Sequence, residues 1–576
     1  MKKTLLSLTL IICIFMVKPS QACTNFLITK GASANGSTMI TYAADSHTLY
    51  GEVYFWPAAT YLAGTMLQVY EWESSKFLGE IPQVAETYRV VGNMNEYSLA
   101  ISETTFGGEE KLVDSTGIID YGSLIYITLQ RAKTAREAIK VMTELVENYG
   151  YNSGGESFSI SDPNEVWVLE MVGKGIKMQQ DKKTKKIANA NKGAVWVAVR
   201  IPDGYVSAHA NQARIQTFPW SNGKTSISSK EMDKIFNYEV EVIYAHDVAQ
   251  VARDLGLYKG EDKDFSFSDT YNPVDFGGAR FCDARVWSFF KSVNKDMWKY
   301  EDYAMGKDLK NRMPLYIKPD EKITFQHTAN MMRDHYEGTK MDMTTDIGAG
   351  PFKLPYRWRP MNWEVDGEKF VHERAIATQQ TAFWFVAECR SNMPQPLAGI
   401  LWFGPDDAAT SCLTPIYSCS YRIADEYAVG NGDMVTYSDN SAFWTFSRVT
   451  NFAYLRYDAM SKDIIKLQQE LESKYTEMVS LIDEHAKKLY SQDPDKAIEF
   501  VTDFSVNTAS ATVKRWKELD NYLLVKYMDG NIKKEANGEF LRNKAGTTSV
   551  SPEQPQLPEF WRRAIKNDAG EKLKAL

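Results

Sequence analysis

The sequence has few cysteines and only one long apolar run, and both shortages limit what the chain can be. Its 576 residues include six cysteines, too few for a fold that is built on disulfides. The one stretch that is apolar enough to enter a bilayer lies at the extreme N-terminus, which excludes a polytopic membrane protein. The net charge is −8 and no basic stripe is present, so nucleic acid is not an expected partner.

The sequence also lacks the short motifs of several enzyme classes. The seven histidines show no spacing typical of a metal-binding helix and no Cys-x-x-Cys pair occurs, so we expect no metal and no cofactor. No phosphate-binding loop and no Gly-x-Ser-x-Gly elbow is found. The composition, with 44% hydrophobic and 24% charged residues, is that of a globular protein and excludes a disordered or fibrous chain.

The N-terminal segment has the three parts of a secretory signal peptide. Two lysines follow the initiator methionine, residues 5–17 are almost continuously apolar, and Ser20 and Ala22 occupy the −3 and −1 positions of a cleavage site. We expect signal peptidase to release a periplasmic or extracellular chain that begins at Cys23 and has no membrane span. Three lysines and no acidic residue would leave with the segment, which changes the net charge from −8 to −11.

Two hypotheses explain a cysteine directly after such a segment. In the first, Cys23 is lipidated and the protein is a non-catalytic surface lipoprotein that binds peptides, although Ser20 stands where a lipoprotein signal would have leucine. In the second, Cys23 is a nucleophile that cleavage sets free. Its own α-amino group, with an ordinary pKa of about 7.7–8.0, is then the general base. Lipidation would block both groups, so the two hypotheses exclude each other.

The residues after Cys23 predict a β-hairpin. Residues 24–28 alternate and include β-branched side chains, residues 31–36 are typical of a turn, and residues 37–43 have the pattern of a second strand. Such a hairpin returns Asp45 to the side of Cys23, where a carboxylate can orient the amine. The alternative is that Asp45 only caps a loop.

Several segments resemble, in the same order along the chain, the secreted dipeptidases of peptidase family C69. The first begins Cys-Thr-Asn-Phe-Leu-Ile at residue 23, and the others lie at residues 95–108, 155–170, 196–215, 279–287 and 399–411. The resemblance covers about residues 23–430. It implies an N-terminal-nucleophile (Ntn) hydrolase related to choloylglycine hydrolases and penicillin V acylases. The implied fold is α+β, with two antiparallel sheets between layers of helices in the order αββα.

The resemblance also implies roles for residues around the thiol. Cys23 and Asp45 match the start of the family pattern, and Asn211 matches an asparagine that donates to the oxyanion. Arg280 matches an arginine that lies beside the thiol. Arg285 is the alternative to Arg280, because the spacing of the two arginines differs from that of the acylases.

A second group of residues is predicted to contact the substrate. Thr105 falls near a further oxyanion residue of the acylases, although it has a hydroxyl in place of an amide, and Tyr42 replaces an acylase arginine. A dipeptidase must also bind a free ammonium and a free carboxylate. Glu103 is the candidate for the ammonium, and Arg200 or Arg214 for the carboxylate. Each of these three is equally compatible with a salt-bridged framework role.

The sequence pattern divides the chain into four parts. These are the removed segment 1–22, a catalytic domain over 23–440, a helical extension over 445–548 and a tail over 549–576. Helices are predicted near 132–149, within 231–255, near 464–482, over 494–504 and over 508–527. Cys412 and Cys419 are close enough in sequence to pair, and the oligomeric state, including a homo-oligomer, is left open.

The sequence therefore predicts a secreted cysteine dipeptidase that cleaves dipeptides through a thioester on Cys23. One alternative within the same superfamily is an amidase that acts on N-acyl amides or bile-acid conjugates. The other, from a different class, is the lipoprotein lipidated on Cys23.

Overall fold

The computed structural model describes residues 23–180, 185 and 187–575. The predicted signal peptide, residues 1–22, lies outside the described residues. The strands are β1 (Asn25–Ile28), β2 (Thr38–Asp45), β3 (Phe55–Trp56), β4 (Ala59–Thr60), β5 (Met66–Tyr70), β6 (Phe77–Pro82), β7 (Glu86–Thr87), β8 (Val90–Val91), β9 (Met94–Asn95), β10 (Ala100–Gly107), β11 (Gly155–Ser161), β12 (Val166–Gly173), β13 (Met178–Gln180), β14 (Ile187–Asn189), β15 (Ala194–Arg200), β16 (Val206–His209), β17 (Ser226–Ser228), β18 (Val242–Tyr244), β19 (Tyr316–Ile317), β20 (Asn362–Val365), β21 (Glu368–Val371), β22 (Thr381–Cys389), β23 (Gly399–Pro405), β24 (Thr414–Tyr417), β25 (Glu535–Ala536) and β26 (Glu539–Phe540).

The α-helices lie between these strands and after them. They are α1 (Tyr121–Leu129), α2 (Ala135–Tyr149), α3 (Val248–Asp254), α4 (Phe267–Tyr271), α5 (Ala284–Val293), α6 (Glu301–Ala304), α7 (Phe325–Met331), α8 (Ala442–Ala453), α9 (Tyr457–Tyr490), α10 (Pro494–Tyr527) and α11 (Glu559–Leu573). A π-helical turn, Gly278–Asp283, leads directly into α5.

Two large sheets form the centre of the fold. The first has the strand order β19-β16-β1-β2-β22-β23-β24, and its neighbouring strands are antiparallel. The second has the order β17-β18-β15-β12-β11-β10-β9-β8-β3 and is antiparallel apart from the pair β17–β18. The predicted mixed α+β class with antiparallel sheets is confirmed.

Polar side chains link the two sheets. Ser102 Oγ of the second sheet donates to the Thr41 carbonyl of the first over 3.2 Å. The His209 ring of the first sheet lies between Thr104 and Ser159 of the second, with 2.7 Å from Nδ1 and from Nε2 to the two hydroxyls. Burial, with a smaller contribution from a nearby arginine, lowers the pKa of His209 to about 3, so the ring is neutral near pH 7. His209 therefore serves as an inter-sheet hydrogen-bonding group.

The first hairpin is buried on both faces. Every residue of β1 and of β2 is buried, because the second sheet covers one face and helices such as α5 and α7 pack against strands of the same sheet. The strands begin and end close to the residues that the alternation predicts. Since β1 and β2 are antiparallel, the start of β1 and the end of β2 lie side by side at the same end of the two strands.

The C-terminal helices pack on the first sheet. Helices α9 and α10, of 34 residues each, contact one another, and α10 also contacts β24 and α8. Glu472 of α9 is fully buried, where its carboxylate accepts from the Arg333 guanidinium over 2.5 Å and from the Leu413 N–H over 2.9 Å. These contacts join the helices to the core. The domain division at residue 440 remains a prediction.

Four sequence expectations differ from the structure. Residues 231–255 contain strand β18 and the short helix α3, because Val242–Tyr244 pairs with the buried β15. The two helices expected after residue 494 are one continuous helix, α10, and the predicted tail contains α11. Cys412 and Cys419 are buried free thiols and do not form the suggested disulfide.

Within the described ranges, no helix combines the length and apolar character that a membrane crossing requires.

Candidate active site

Cys23 lies at the edge where the first hairpin opens. Its neighbour Thr24 forms a β-bridge with Ala43, so the cysteine lies two residues before β1 and close to the last residue of β2, Asp45. Both Cys23 and Asp45 are buried. The hairpin predicted from the sequence therefore brings the thiol and the carboxyl together through local strand pairing.

Asn211 binds the backbone nitrogen of Cys23. The nitrogen donates to Asn211 Oδ1 over 2.9 Å, and Asn211 Nδ2 donates to the Thr105 carbonyl over 2.7 Å. Asn211 follows β16, which pairs with β1, and has φ +61°, a left-handed conformation that asparagine tolerates better than most residues. An amide carries two hydrogens on nitrogen, so one N–H remains for a further acceptor.

Arg285, from α5, is the arginine that contacts Cys23. Its guanidinium donates to the Cys23 carbonyl over 2.7 Å, to Thr24 Oγ1 over 2.8 Å and to Asn211 Oδ1 over 2.8 Å. Arg280, which the sequence analysis preferred for this position, instead forms an ion pair with Glu373 and donates to the Met305 carbonyl. The alternative arginine is thus the one that the structure brings to the cysteine, because Glu373 holds Arg280 elsewhere.

The thiol itself faces a phenol and a carboxyl group. Cys23 Sγ lies 3.8 Å from the Tyr42 hydroxyl and 3.8 Å from Glu103 Oε1, and the Tyr42 hydroxyl donates to that oxygen over 2.5 Å. Burial, with the negative charges of Glu103 and Asp45, raises the pKa of Cys23 well above its ordinary value, against smaller effects from hydrogen bonds to Asp45 and Tyr42. The resting thiol is therefore protonated near neutral pH and needs a base.

Asp45 is held neutral over much of the pH range. Burial raises its pKa to about 8, although a hydrogen bond from Thr381 and the charges of Arg285 and Arg374 act in the opposite direction. Thr381 Oγ1 donates to Asp45 Oδ1 over 2.6 Å. The other carboxyl oxygen, Oδ2, is buried and has no hydrogen-bond partner among the described residues. That oxygen is available to a proton donor that arrives with processing or with substrate.

A second carboxyl group lies close to Glu103. Glu156 accepts from the Thr105 hydroxyl over 2.9 Å, and Glu103 and Glu156 are each 1% exposed. Burial raises the pKa of both carboxyl groups, and the proximity of Glu103 raises that of Glu156 further. Two carboxyl groups this close titrate as a coupled pair, in which the charge on one disfavours the charge on the other.

Both arginines predicted to bind the substrate carboxylate are engaged in framework contacts. Arg200 donates to Glu241 over 2.9 Å and to the Tyr238 carbonyl over 2.9 Å. Arg214 is 2% exposed and donates to the Ala208 and Pro314 carbonyls. Their predicted role with a substrate carboxylate is therefore not supported, because each guanidinium is committed to the protein itself.

Thr105 contributes two contacts to the site. Its hydroxyl donates to Glu156, and its carbonyl accepts from Asn211. The predicted contact between the hydroxyl and an oxyanion remains a prediction.

Sequence reasoning missed Glu156 and Arg374. Thr105 and Glu156 are directly paired across β10 and β11, and Glu103 lies two residues before Thr105 on the same strand face. The alternation along β10 places Glu103 and Thr105 on one face, but Glu156 can be assigned to that face only once the partner strand is known. Arg374 acts on the site through its charge on Asp45 and Arg285, and no motif marks it in the sequence.

Comparison with known proteins identifies the class of enzyme. Residues 49–470 match the sequence model of peptidase family C69. "Probable dipeptidase A" of Streptococcus pyogenes serotype M3 is 23% identical over 484 residues, which are 80% of this chain and 89% of that protein. "Dipeptidase" of Bifidobacterium longum is 25% identical over 430 residues, which are 69% and 71% of the two chains. "Probable dipeptidase B" of Lactococcus lactis is 21% identical over 525 residues, which are 88% and 95%.

The matched range defines a hydrolase of peptide bonds. The chain belongs to peptidase family C69. Cys23 and Asp45 lie before the first matched residue. The family assignment therefore rests on the sequence of residues 49–470 and does not depend on the identity of the nucleophile.

Proposed function

We propose that the protein is a secreted cysteine dipeptidase in which Cys23 is the nucleophile and its α-amino group is the general base. The observation that carries this proposal is the hydrogen bond of 2.9 Å between the Cys23 nitrogen and Asn211 Oδ1, with Arg285 at the same oxygen. After the proposed cleavage, these contacts would orient the terminal nitrogen beside its own thiol. The names of the C69 relatives support a dipeptide substrate, and the two central sheets support the Ntn arrangement that the sequence resemblance implies.

The buried thiol explains why a built-in base is needed. Since the pKa of Cys23 is raised, a thiolate is scarce before substrate binds. An amine on the same residue takes the thiol proton with almost no loss of positional freedom. Arg285, which donates to the Cys23 carbonyl, holds the backbone on the other side of the residue in place.

In the first half of the reaction, Cys23 Sγ attacks the peptide carbonyl carbon and the amine accepts the thiol proton. The free N–H of Asn211 stabilises the negative oxygen of the tetrahedral intermediate. The carbon–nitrogen bond then breaks, and the ammonium returns its proton to the leaving amine. The products are the C-terminal amino acid and a thioester on Cys23.

In the second half, water attacks the thioester carbonyl and the same amine accepts a proton from the water. The carbon–sulfur bond breaks, the proton passes to the sulfur, and the N-terminal amino acid is released. Asp45, whose Oδ2 is buried without a partner among the described residues, is the group we propose to hold the amine in place.

The amidase alternative fits the surroundings of the thiol less well. An acyl chain prefers an apolar pocket, whereas Sγ here lies 3.8 Å from a carboxyl oxygen and a second carboxyl group lies close by. The lipoprotein alternative requires that both the sulfur and the nitrogen of Cys23 be blocked. A lipid on the sulfur conflicts with the burial of Cys23 and with the 3.8 Å approach of Sγ to the Tyr42 hydroxyl.

Intact mass and N-terminal sequencing of exported protein test the proposal. We expect a first residue Cys23 without a lipid adduct, and turnover of L-alanyl-L-alanine that Cys23→Ala abolishes. The matched control is Cys389→Ala, which removes a buried thiol elsewhere in the first sheet and should keep activity. A diacylglyceryl adduct, another first residue in the active form, or full activity of Cys23→Ala would refute the proposal.

A further inference from the structure

We propose that Glu103 and Glu156 together bind the free α-ammonium of the substrate residue that forms the thioester. The inference rests on the proposed function and deepens it, because it assigns the residues that distinguish an acyl half with a free α-ammonium from one without it. Glu156 is a specificity residue that neither the sequence motifs nor the family match assigns.

The sheet places the two carboxyl groups on one face. Strands β10 and β11 are antiparallel with Thr105 opposite Glu156, and Glu103 precedes Thr105 by two residues. Side chains two apart on a strand share a face, so Glu103, Thr105 and Glu156 form a cluster. The hydrogen bond of 2.9 Å from Thr105 Oγ1 to Glu156 Oε1 fixes one member, and the bond of 2.5 Å from Tyr42 to Glu103 Oε1 fixes the other.

The distance from the nucleophile matches the chemistry of an α-amino acid. In such a residue the α-nitrogen and the carbonyl carbon are separated by one Cα, a span of about 2.5 Å from standard bond lengths and angles. A carbonyl carbon poised for attack lies about 3–3.5 Å from the sulfur. Glu103 Oε1, at 3.8 Å from Cys23 Sγ, is therefore within hydrogen-bonding reach of the ammonium while the sulfur faces the carbonyl.

Each carboxyl group has an oxygen that is ready for a ligand. Glu103 Oε2 and Glu156 Oε2 are buried and accept no hydrogen bond from an N–H or hydroxyl donor among the described residues, and the two carboxyl groups hydrogen-bond to each other. A proton shared between two carboxyl groups satisfies one acceptor, whereas an ammonium with three N–H donors supplies partners to both. The pair therefore fits a cationic ligand better than an acyl chain.

The charge of the surroundings also favours one ammonium. The groups that act on the pair are acidic or phenolic, namely Glu73, Tyr42 and Tyr121. The Tyr121 hydroxyl donates to Glu73 over 2.8 Å, and the charge of this third carboxyl group also acts on the pair. A substrate ammonium neutralises this charge, whereas an N-acetyl group presents an oxygen and a methyl to it.

A pair of substrates that differ only at the α-nitrogen tests this assignment. L-Alanyl-L-alanine has the ammonium, and propionyl-L-alanine has hydrogen in its place. We expect Glu156→Gln to lower kcat/KM for alanyl-alanine about 10- to 100-fold, as expected for the loss of one charge-assisted hydrogen bond. For propionyl-alanine, kcat/KM, or Ki if the compound acts only as a competitor, should change less than about threefold, because this compound makes no such bond. Glu103→Gln should show the same selectivity.

The control is Glu170→Gln, the same substitution at a buried glutamate of β12. Glu170 accepts from the backbone N–H groups of Arg214 and Ile215 and takes no part in the pair, so any effect should be equal for both substrates. Thermal melting and the rate of Cys23 alkylation by iodoacetamide report whether the fold and the thiol of each variant are intact.

Two results would overturn the assignment. One is an equal loss for both substrates in Glu156→Gln, which indicates a structural role, and the other is no loss for either. Cys23→Ala separates this failure from that of the proposed function. An active Cys23→Ala variant refutes the nucleophile itself, whereas an inactive one with an indifferent Glu156→Gln refutes only the ammonium site.

Discussion

Replacing Arg285 by lysine should damage both the stability and the reactivity of the site. The Arg285 guanidinium is fully buried and donates to the Cys23 carbonyl over 2.7 Å and to Asn211 Oδ1 over 2.8 Å. A lysine ammonium cannot reproduce this planar fork. Each lost hydrogen bond to a charged donor is worth about 1.5–3 kcal/mol, so the two together predict a loss of about 3–6 kcal/mol in the free energy of unfolding.

Such a loss is a large part of the roughly 5–15 kcal/mol that is typical of folded proteins. Urea unfolding should therefore be measured together with kcat/KM for alanyl-alanine and with the alkylation rate of Cys23, located by peptide mass. We expect Arg285→Lys to lower kcat/KM by at least about tenfold in the fraction that remains folded, because the Cys23 nitrogen and Asn211 lose their common partner.

Arg280→Lys is the matched control, since Arg280 pairs with Glu373 and not with the cysteine. Its effect on alkylation should be much smaller than that of Arg285→Lys. Equal effects of the two substitutions, or an Arg285→Lys variant with the activity and stability of the parent protein, would refute the assignment of Arg285 to the thiol.

Two further predictions concern stability. Because burial raises the pKa of Asp45 to about 8, above about 3.9 in the unfolded chain, the folded state retains a proton that the unfolded state releases. The free energy of unfolding should fall as the pH rises from about 4 to about 8. In Asp45→Asn, this dependence of the unfolding free energy on pH should become weaker. Denaturant titrations that show the same pH dependence in the variant would contradict the raised pKa of Asp45. Glu472→Ala should cost about 3–5 kcal/mol in urea unfolding, because it leaves the Arg333 charge buried without its carboxylate. Glu470→Ala, an exposed position on the same helix, should cost about 0–1 kcal/mol, and equal losses would show that α9 is not anchored through Glu472.

What the sequence predicted well is local. The hairpin of β1 and β2 and the position of Asp45 follow from alternation and one turn in the segment that directly follows Cys23.

What the sequence could not predict depends on contacts between distant segments. Arg285 is 262 residues from the carbonyl that it binds, and nothing in the local pattern distinguishes it from Arg280. Glu156 reaches the site only because β11 pairs with β10 in one register, and a shift of one residue would turn its side chain to the other face. The helix predicted within residues 231–255 is limited to α3 at the end of that range, because β18 pairs with β15 before it.

The hydrogen bond between the Cys23 nitrogen and Asn211 has a consequence for how the enzyme would mature. The chain described here still carries residues ahead of Cys23, so this nitrogen is an amide, and yet it already occupies the place that the mature amine requires. Under the proposed cleavage, the same position would hold the α-amino group of the mature chain, with Asn211 already in place to bind it. Cutting one peptide bond would then exchange an inert amide for a base without rebuilding the architecture around it.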